Sequence, residues 1–347
     1  MTVDPNIWDR DSSDAHPGSS IAAGSDRRAG TVVLGASHWH VPLYRDAIGR
    51  RHRVLSVQDD NVATAEELAQ VWGAPSTASV DSALDRDGID LAYVFSPHHE
   101  MAAVTGKLID RGIAFVVEKP AGVDLTQVTA LADAARRAGV PATVALVQRN
   151  APVETWLRQV GDIVYERLSF IAGPPGRYRE NGNPWMLDPL RSGGGCLTNL
   201  GPHFVDLALR HIGNDVDVSV QLSRTLHHDT VEDHATLVLS NEGRESIVEV
   251  GYAFPGSPLK RYCSFSAAGT NGFASIDTNG SARFTDATGN TIEAILDVDS
   301  DPLYEKFVDN VADSLDTKFH GLPTLDEFVR SMAIIWSKTP QPRSRNE

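Results

Sequence analysis

The stretch Thr31-Val-Val-Leu-Gly-Ala-Ser-His-Trp-His40 joins a short apolar run to a glycine turn. The run has the length and the side chains of a buried strand, and Gly35 ends it. In dinucleotide-binding folds, the turn between the first strand and the first helix carries the pattern Gly-x-Gly-x-x-Gly. Here Ser37 and His40 stand in place of the second and third glycines. The position of the turn therefore favours such a fold, whereas its sequence leaves open a degenerate turn that no longer binds a nucleotide.

Apolar runs and helical patterns alternate as far as residue 149. Further strands are predicted over residues 54–57, 91–95, 114–117 and 142–146, and helices near residues 63–72, 101–108 and 125–138. Uninterrupted apolar strands between helices are typical of a parallel sheet that is covered on both faces. We therefore predict an α/β architecture with a doubly wound parallel sheet, a Rossmann dinucleotide-binding domain, over residues 30–149.

After residue 150 the pattern changes. A helix is predicted over residues 151–160, a strand over 163–172, and a loop rich in glycine, proline and asparagine over 173–192. Strands follow over residues 215–225, 233–240, 245–253, 261–268 and 273–278, and helices over 303–316 and 324–338. Several of these strands alternate polar and apolar residues, as in a sheet with one wet or ligand-facing side. We predict an α+β domain with an open, mainly antiparallel sheet over residues 150–347, and a disordered segment over residues 1–29.

The composition is that of a soluble globular protein, with 41% hydrophobic and 22% charged residues. A formal net charge of −15 argues against nucleic acid and anionic membrane surfaces as partners. No apolar run approaches the roughly 18 residues of a membrane span, and the run before Gly35 is too short for a twin-arginine signal after Arg27 and Arg28. The two cysteines, Cys196 and Cys263, argue against a disulfide framework, so we expect a cytoplasmic protein.

Polar residues follow the predicted strands at the edge where a dinucleotide would bind. Asp59 lies one residue past the second strand, where an acid bonds the ribose diol and disfavours a 2′-phosphate, so NAD is expected rather than NADP. The structural alternative is that Asp59 is a loop acid or a helix N-cap. The predicted cofactor-binding residues are Gly35, Ser37, His38, Trp39, His40, Asp59, Ser96, Pro97, His98, Glu118 and Lys119.

Glu118-Lys119-Pro120 closes the apolar run at residues 114–117. A residue before proline is held extended, which fixes the direction of Lys119. The motif lies at the carboxyl end of a sheet strand, the edge where ligands bind in this fold. A desolvated lysine there can relay a proton or bond a substrate hydroxyl. The alternative is a solvated surface charge, and the presence of His203 favours the catalytic interpretation.

The segment Ser192-Gly-Gly-Gly-Cys-Leu-Thr-Asn-Leu-Gly-Pro-His-Phe-Val-Asp206 places Asn199 and His203 four residues apart, on one face of a helix. The glycines permit close approach of backbone or ligand, and Pro202 indicates that the helix begins or kinks there. A histidine can take the hydroxyl proton during alcohol oxidation, although a lone helical histidine is often structural. Asn199 can orient the ring through a hydrogen bond, but unlike an aspartate it cannot stabilise an imidazolium by charge.

Four histidines follow two strands that the doubly wound order makes neighbours. They are His38, His40, His98 and His99. A His-x-His pair can ligate a metal. Because the cofactor should lie at this edge, we expect no metal and favour contacts to phosphate or nicotinamide ribose, or a part in shaping the substrate pocket.

These motifs together resemble those of the glucose–fructose oxidoreductase / inositol dehydrogenase / MocA family. Its members carry a dinucleotide fold, a Glu-Lys-Pro motif and a Gly-Gly-Gly-x-x-x-Asp-x-Gly-x-His-x-x-Asp helix, and Pro323-Thr-Leu-Asp-Glu-Phe looks like the family's C-terminal signature. The resemblance implies NAD(P)-dependent oxidation or reduction of a secondary alcohol in a sugar or cyclitol. It also implies a homodimer or homotetramer formed through the open sheet, with Lys119 and His203 as the catalytic pair and Asn199 at the aspartate position.

The leading hypothesis is an NAD-dependent dehydrogenase or reductase for a sugar-like secondary alcohol. In it, His203 exchanges the hydroxyl proton, Lys119 bonds or relays it, and Asn199 orients. Further residues expected to contact the substrate are Arg149, Trp185 and Asp188. The altered glycine turn and Asn199 motivate a second hypothesis, a nucleotide-binding sensor of the same fold without turnover. A metal-dependent lyase or hydrolase built on the histidines ranks below both.

Overall fold

The computed structural model describes residues 28–338, and the first part of this region forms a parallel sheet of six strands. The strands are β1 (Gly30–Leu34), β2 (Arg53–Gln58), β3 (Ser76–Thr77), β4 (Leu91–Val94), β5 (Ala114–Val117) and β6 (Ala142–Val144). Their order is β3-β2-β1-β4-β5-β6, and every pair is parallel. The order reverses between β1 and β4, which confirms the predicted doubly wound fold and creates a crevice for a ligand at that point.

Five helices accompany this sheet. They are α1 (Val41–Arg51), α2 (Val62–Trp72), α3 (Val80–Leu84), α4 (Met101–Asp110) and α5 (Leu125–Ala138). Their ends follow from side-chain chemistry: Asn61 and Asp124 accept hydrogen bonds at the starts of α2 and α5, and Gly73 and Gly139 end these helices in left-handed conformations. The sequence patterns do not reveal β3 and α3, because elements of two and five residues are too short to show a period.

The second sheet has eight strands. They are β7 (Ile163–Ala172), β8 (Asp217–Ser223), β9 (His234–Asn241), β10 (Arg244–Tyr252), β11 (Arg261–Gly269), β12 (Gly272–Asp277), β13 (Ser281–Asp286) and β14 (Thr291–Ile295). The order is β14-β13-β12-β11-β7-β10-β9-β8, and β7 with β10 is the one parallel pair in it. The predicted α+β architecture with a mainly antiparallel sheet is therefore confirmed. Strands β13 and β14 were not predicted.

One face of this sheet is covered and the other is open. Along β9, Ala235, Leu237 and Leu239 are buried, while the residues between them are partly exposed. Helix α9 (Cys196–Ile212) packs on the covered face against β7, β9 and β10. The remaining helices are α6 (Pro152–Leu157), α7 (Arg177–Glu180), α8 (Pro189–Ser192), α10 (Pro302–Ser314) and α11 (Leu325–Lys338).

Helix α9 runs through Pro202 and begins six residues before it, at Cys196. The helix therefore does not begin at the proline, and the other alternative, a kink at Pro202, stays a prediction. Proline lacks the N–H that would bond the carbonyl of residue 198, but a helix can continue past one missing bond when both its sides are packed. Here nearly every residue of α9 is buried, between the sheet and α11.

Two predictions about the chain as a whole stay predictions. Most of the predicted disordered segment, residues 1–27, lies outside the described residues. The domain boundary at residues 149 and 150 falls in a short 3-10 helix, Val147–Asn150, that leads from β6 to α6. Within residues 28–338, no helix combines the length and the apolar character that crossing a membrane requires.

Candidate active site

Lys119 lies two residues after the end of β5 and reaches across to α9. It is 1% exposed, and its Nζ donates to Asn199 Oδ1 and to the Asn199 carbonyl oxygen, both at 2.9 Å. Burial lowers the pKa of Lys119 to about 8, an effect that the charge of Glu118 opposes and the charge of Arg177 reinforces. The lysine that the sequence analysis singled out is thus a desolvated group that titrates near neutral pH, and not a surface charge.

The contact with Lys119 settles the orientation of the Asn199 side chain. An ammonium can only donate, so the amide oxygen must face Lys119 and the amide nitrogen must face the other way. There Nδ2 donates to the Tyr178 hydroxyl at 2.6 Å. Both polar atoms of Asn199 therefore bond Lys119 and Tyr178, and no hydrogen bond joins Asn199 to His203 among the described residues, so the role of Asn199 in orienting that ring stays a prediction.

His203 lies one helical turn beyond Asn199 and faces the same cavity. His203 is 7% exposed, and its buried Nδ1 has no hydrogen-bond partner among the described residues. Burial and then the charge of Lys119 lower the pKa of His203 to about 3. The ring is consequently neutral at pH 7 and can exchange hydrogen bonds with a hydroxyl, but it is a weak base.

The cavity that contains these residues has a volume of about 250 Å³. Lys119, Asn199 and His203 line it together with residues of the turn after β1, the loop after β7 and α10, including His40, Arg177, Tyr178 and Tyr304. A larger cavity of about 680 Å³ lies elsewhere, against α1 and the start of β2, and none of the predicted site residues lines it. The catalytic candidates therefore share one small cavity at the carboxyl edge of the parallel sheet.

Glu118 lies beneath this cavity and holds the turn after β1. Its Oε1 accepts a hydrogen bond from Tyr44 at 2.5 Å and bonds His40 Nδ1 at 3.1 Å, and its Oε2 accepts from the Lys119 backbone N–H. Burial raises the pKa of Glu118, but the charge and hydrogen bond of His40 and the charge of Lys119 outweigh this and hold the pKa below its usual range. Glu118, which the sequence analysis predicts as a cofactor contact, is thus a buried carboxylate that holds His40 within the protein.

The turn after β1 needs its single glycine. Gly35 has a φ of +89°, and a Cβ there would lie 2.5 Å from the backbone nitrogen of Ser96, which follows β4. Ser37 donates to Asp59 through its backbone N–H at 2.6 Å and its hydroxyl at 2.7 Å, and Asn61 N–H donates to the same carboxylate at 2.8 Å. Asp59 therefore joins the turn to the start of α2, which agrees with the alternative that Asp59 is a structural acid in the loop.

Aromatic rings fill the space between the turn and the loop after β7. The rings of His38 and Trp39 stack with centroids 3.8 Å apart, and Trp185 lies 5.7 Å from Trp39 and 4.7 Å from His98. His99 lies 6.4 Å from Trp185. All four histidines therefore contact Trp39 or Trp185 at this edge. Within residues 28–338, no three His, Cys, Asp or Glu side chains converge as metal ligands.

Two features of this edge fit a bound dinucleotide, and one does not. A second cavity, of about 280 Å³, is lined by Gly35, Ser37, Asp59, Ser96 and Pro97. The buried Nε2 atoms of His38 and His98 have no partner among the described residues, as expected where a polar ligand binds. The N–H of Ser37 is already bonded to Asp59, so a phosphate bound at this turn would have to displace that carboxylate. Trp39 and Trp185 lie between this cavity and the one around Lys119.

Three predicted substrate contacts are not brought into the Lys119 cavity. Arg149 forms ion pairs with Asp206 and Glu327, which tie the end of β6 to α9 and α11. Asp188 accepts from the N–H of Leu190 and caps α8. Trp185 lies in the aromatic cluster described above. Conversely, Arg177 and Tyr178 do line the cavity, and nothing in the sequence around them, in a loop without periodicity, identified them.

Two family models match the chain. One, described as an oxidoreductase family with an NAD-binding Rossmann fold, covers residues 30–146, and the other, described as the GFO/IDH/MocA C-terminal domain, covers residues 158–275. Together they cover the parallel sheet and the second sheet from β7 to the start of β12, and they include Lys119, Asn199 and His203.

Two curated relatives illustrate the similarity in sequence. A putative UDP-kanosamine synthase oxidoreductase subunit of Amycolatopsis mediterranei is 29% identical over 52% of this chain and 50% of that protein. A trans-1,2-dihydrobenzene-1,2-diol dehydrogenase of Macaca fascicularis is 26% identical over 65% of this chain and 66% of that protein. The matched region thus spans between half and two thirds of these relatives.

Solved structures share the fold over most of the chain. GenD2 from gentamicin A biosynthesis, in complex with NAD, is 20% identical with a TM-score of 0.73 and covers 92% of this chain and 95% of its own. A levoglucosan dehydrogenase in complex with NADH and levoglucosan is 16% identical with a TM-score of 0.72, covering 88% and 95%. A biliverdin reductase of Synechocystis with biliverdin and NADP+ is 17% identical with a TM-score of 0.71, covering 90% and 98%. Because a bilin enzyme and a sugar enzyme share it, the fold alone does not define the substrate.

Proposed function

Since this chain belongs to the GFO/IDH/MocA family of NAD-binding oxidoreductases, we propose that it oxidises or reduces a secondary alcohol in a sugar-like or cyclitol-like substrate. The observation that carries the proposal is the contact between Lys119 and Asn199. It joins the carboxyl edge of the parallel sheet to α9 and places His203 in the same cavity. A nicotinamide dinucleotide, when bound, would supply the hydride chemistry; the residues of the chain bind, orient and exchange a proton.

The pKa values of Lys119 and His203 favour different roles for these two side chains. General acid–base catalysis is most effective when the pKa of the group lies near the working pH. Lys119, at about 8, meets this condition, whereas His203, at about 3, does not. We therefore assign proton exchange with the substrate hydroxyl to Lys119, and assign to the neutral ring of His203 a hydrogen bond that positions the same hydroxyl.

NAD is proposed as the cofactor in preference to NADP. Asp59 and Asp60 place two carboxylates at the end of β2, next to the turn. A 2′-phosphate there would meet like charge, whereas a ribose diol could share the Asp59 carboxylate with Ser37. We also propose association through the open sheet face, and a cytoplasmic location remains a prediction.

The first experiment follows binding and turnover separately. Titration with NAD and with NADP is read by intrinsic fluorescence, because Trp39 and Trp185 lie beside the turn. A panel of sugars and cyclitols is then read at the NADH absorbance. We expect NAD to bind tighter than NADP, and Lys119→Met to reduce kcat/KM about 10²–10⁴-fold. His203→Ala removes one hydrogen bond and should cost about tenfold. A larger loss for His203→Ala than for Lys119→Met would contradict the assigned roles.

Two observations favour a second candidate, a nucleotide-binding sensor without turnover. Asn199 offers no negative charge to an imidazolium, and the N–H groups of Ser37, His38 and Val41 in the turn are bonded within the protein. Tight NAD binding with no turnover on the whole panel would favour the sensor, whereas the absence of binding of both dinucleotides would exclude both candidates.

A further inference from the structure

The Arg177 guanidinium lines the same cavity as Lys119 and His203. Its Nη2 donates to the Tyr178 hydroxyl at 3.0 Å, and its Cζ lies 4.9 Å from the centre of the Tyr178 ring and 6.0 Å from that of Tyr252. These contacts hold the side chain in place without neutralising it. Within residues 28–338, no carboxylate forms an ion pair with Arg177.

The other cations at the mouth of the cavity differ in this respect. Arg261 pairs with Asp299 at 2.5 Å and with Asp301 at 2.9 Å, and Lys260 pairs with Asp301 as well. Their charges are therefore satisfied within the protein. Among residues 28–338, Arg177 makes one hydrogen bond with its five N–H donors, and unlike Arg261 and Lys260 it makes none to a carboxylate.

Arg177 stays charged at every pH at which the protein is folded. Burial lowers its pKa, but the neighbouring Tyr178 and their mutual hydrogen bond raise it above its usual value. The charge of Asp301 also raises the pKa of Arg177, although the two side chains form no ion pair. A partly buried cation without a paired counter-ion is costly, and such a cost persists where a ligand supplies the missing charge.

We infer that the substrate of the proposed oxidoreductase is a small sugar acid or cyclitol acid whose carboxylate binds Arg177. A guanidinium fork matches a planar carboxylate with two parallel hydrogen bonds. The inference rests on the function proposed above and adds the substrate class. The cavity supports a small ligand: at about 250 Å³ it falls below the roughly 300–1,000 Å³ of pockets for drug-sized molecules, so it suits one sugar ring without an attached nucleotide.

A chain of hydrogen bonds connects this anion site to the catalytic lysine. Arg177 donates to the Tyr178 hydroxyl, which also accepts from Asn199 Nδ2, and Asn199 Oδ1 accepts from Lys119 Nζ. With both lone pairs of its oxygen engaged, Tyr178 can still donate its own proton to a ligand. One small molecule can therefore contact Arg177 through its carboxylate and Lys119 through a nearby hydroxyl.

The test compares acids with matched neutral sugars. Hexuronates, aldonates and inositol carboxylates are titrated calorimetrically against the full chain, each beside the neutral compound of the same configuration and beside its phosphate ester. We expect at least one acid to bind tenfold or more tighter than its neutral partner. Arg177→Gln should raise the dissociation constant of that acid about 10–100-fold and change that of the neutral compound less than threefold.

Two further variants separate binding from folding. Arg177→Lys keeps the charge without the fork, so the dissociation constant of the acid should rise by an intermediate factor. Lys260→Gln removes a cation from the same rim, but one that Asp301 already pairs, and should change acid binding less than threefold. Thermal unfolding without ligand shows whether each variant is folded.

The outcomes distinguish this inference from the proposed function. If no acid binds tighter than its neutral partner, or Arg177→Gln weakens both equally, the inference is overturned. Tighter binding of phosphate esters would replace carboxylate by phosphate and overturn it as well. If dinucleotide binds and neutral sugars are oxidised without preference for acids, only this inference fails. Acid binding that depends on Arg177 in a protein that binds neither dinucleotide would instead contradict the proposed function.

Discussion

At the residue scale, Asn199 is the position where chemistry and structure are most closely linked. In the resemblance noted from the sequence, this position carries an aspartate. Here the amide donates to Tyr178 and accepts from Lys119, two contacts that an ionised aspartate of the same size cannot make at once. An aspartate would accept from both neighbours and would place a full negative charge beside the ammonium of Lys119.

The substitution Asn199→Asp should therefore raise the pKa of Lys119 above about 8, because a carboxylate at 2.9 Å stabilises the ammonium. Alcohol oxidation needs the free amine, so kcat/KM rises with pH through this pKa, and the variant should shift that limb to higher pH. Steady-state rates between pH 6 and 10 measure the shift. Asn279→Asp makes the same charge change in a distant surface turn and should leave the limb in place. An unmoved limb in Asn199→Asp would argue that Lys119 does not exchange the proton.

Gly35 carries the second prediction at this scale. Gly35→Ala combines a positive φ with a Cβ 2.5 Å from the backbone of Ser96, which cannot move without disrupting β4. Gly112→Ala is the matched control, since Gly112 has a φ of +67° but nothing within 4 Å of the added Cβ. The control should lower the free energy of unfolding by about 1–2 kcal/mol, and Gly35→Ala by clearly more, as measured by urea denaturation. Equal losses would show that the close approach of the two strands is not a constraint.

At the scale of elements, a buried histidine connects helices and strands of the second domain. His211 of α9 bonds Glu166 of β7 through Nδ1 at 2.7 Å and Glu154 of α6 through Nε2 at 2.8 Å, and Ser246 of β10 donates to Glu166. Both ring nitrogens can donate only when the ring is protonated. Burial lowers the pKa of His211, but the two glutamates outweigh this and raise it to about 9.

This network predicts a loss of stability at alkaline pH. Because the folded-state pKa of His211 lies above the unfolded value of about 6.5, its contribution is fully present below pH 6.5 and is lost as the pH rises towards 9. The loss should reach about 3 kcal/mol. Lys119 acts in the opposite sense, because its lowered pKa of about 8 makes the stability rise with pH above 8, in wild type and variant alike. Urea denaturation of wild type and His211→Gln at pH 6.5, 7.5 and 9 therefore isolates the effect of His211: the extra stability of the wild type should shrink by this amount between pH 6.5 and 9. His203 is also buried, but its pKa is lowered to about 3, so its titration changes the stability only at lower pH. His320→Gln, at an exposed position, should leave the dependence unchanged; the same slope in His211→Gln would contradict the prediction.

Elements with a repeating pattern could be predicted from the sequence, and those without one could not. Strand β7 was predicted with its observed bounds, because it lies between clear turn signals. Strands β13 and β14 were missed, since side chains such as Ile292 and Ile295 are exposed and alternate with polar residues at the edge of the sheet. The start of α9 was missed because a proline inside a helix is tolerated only through tertiary packing, which no local pattern reports.

At the scale of the whole molecule, the site depends on contacts between distant parts of the chain. Lys119 and His203 could be predicted as candidate site residues because local signals, Pro120 and the glycine run, lie next to them in the sequence. The partners of Asn199 and the place of Arg177 in the cavity could not, because they depend on how the loop after β7 folds back over the first sheet. The same folding brings Trp185 against His38 and Trp39, away from the substrate position expected for it.

The open face of the second sheet carries the last feature at this scale. Tyr165 of β7 and Phe273 of β12 both lie opposite Ala268 of β11, so the three side chains form one cross-strand row. Tyr165 is 54% exposed and Phe273 is 42% exposed. Adjacent exposed aromatic side chains on a flat sheet are typical of a protein–protein interface, in which aromatic residues are enriched.

We therefore expect a dimer or tetramer whose interface includes this row. The double substitution Tyr165→Glu with Phe273→Glu would bury like charges in the interface and should shift the protein to monomers, as measured by light scattering after gel filtration. Val71→Glu is the control, because Val71 is 56% exposed but lies on α2, outside this sheet, and it should leave the oligomer intact. A wild-type monomer would contradict the expected oligomer. A double variant that remains oligomeric would show that the contact between subunits lies elsewhere.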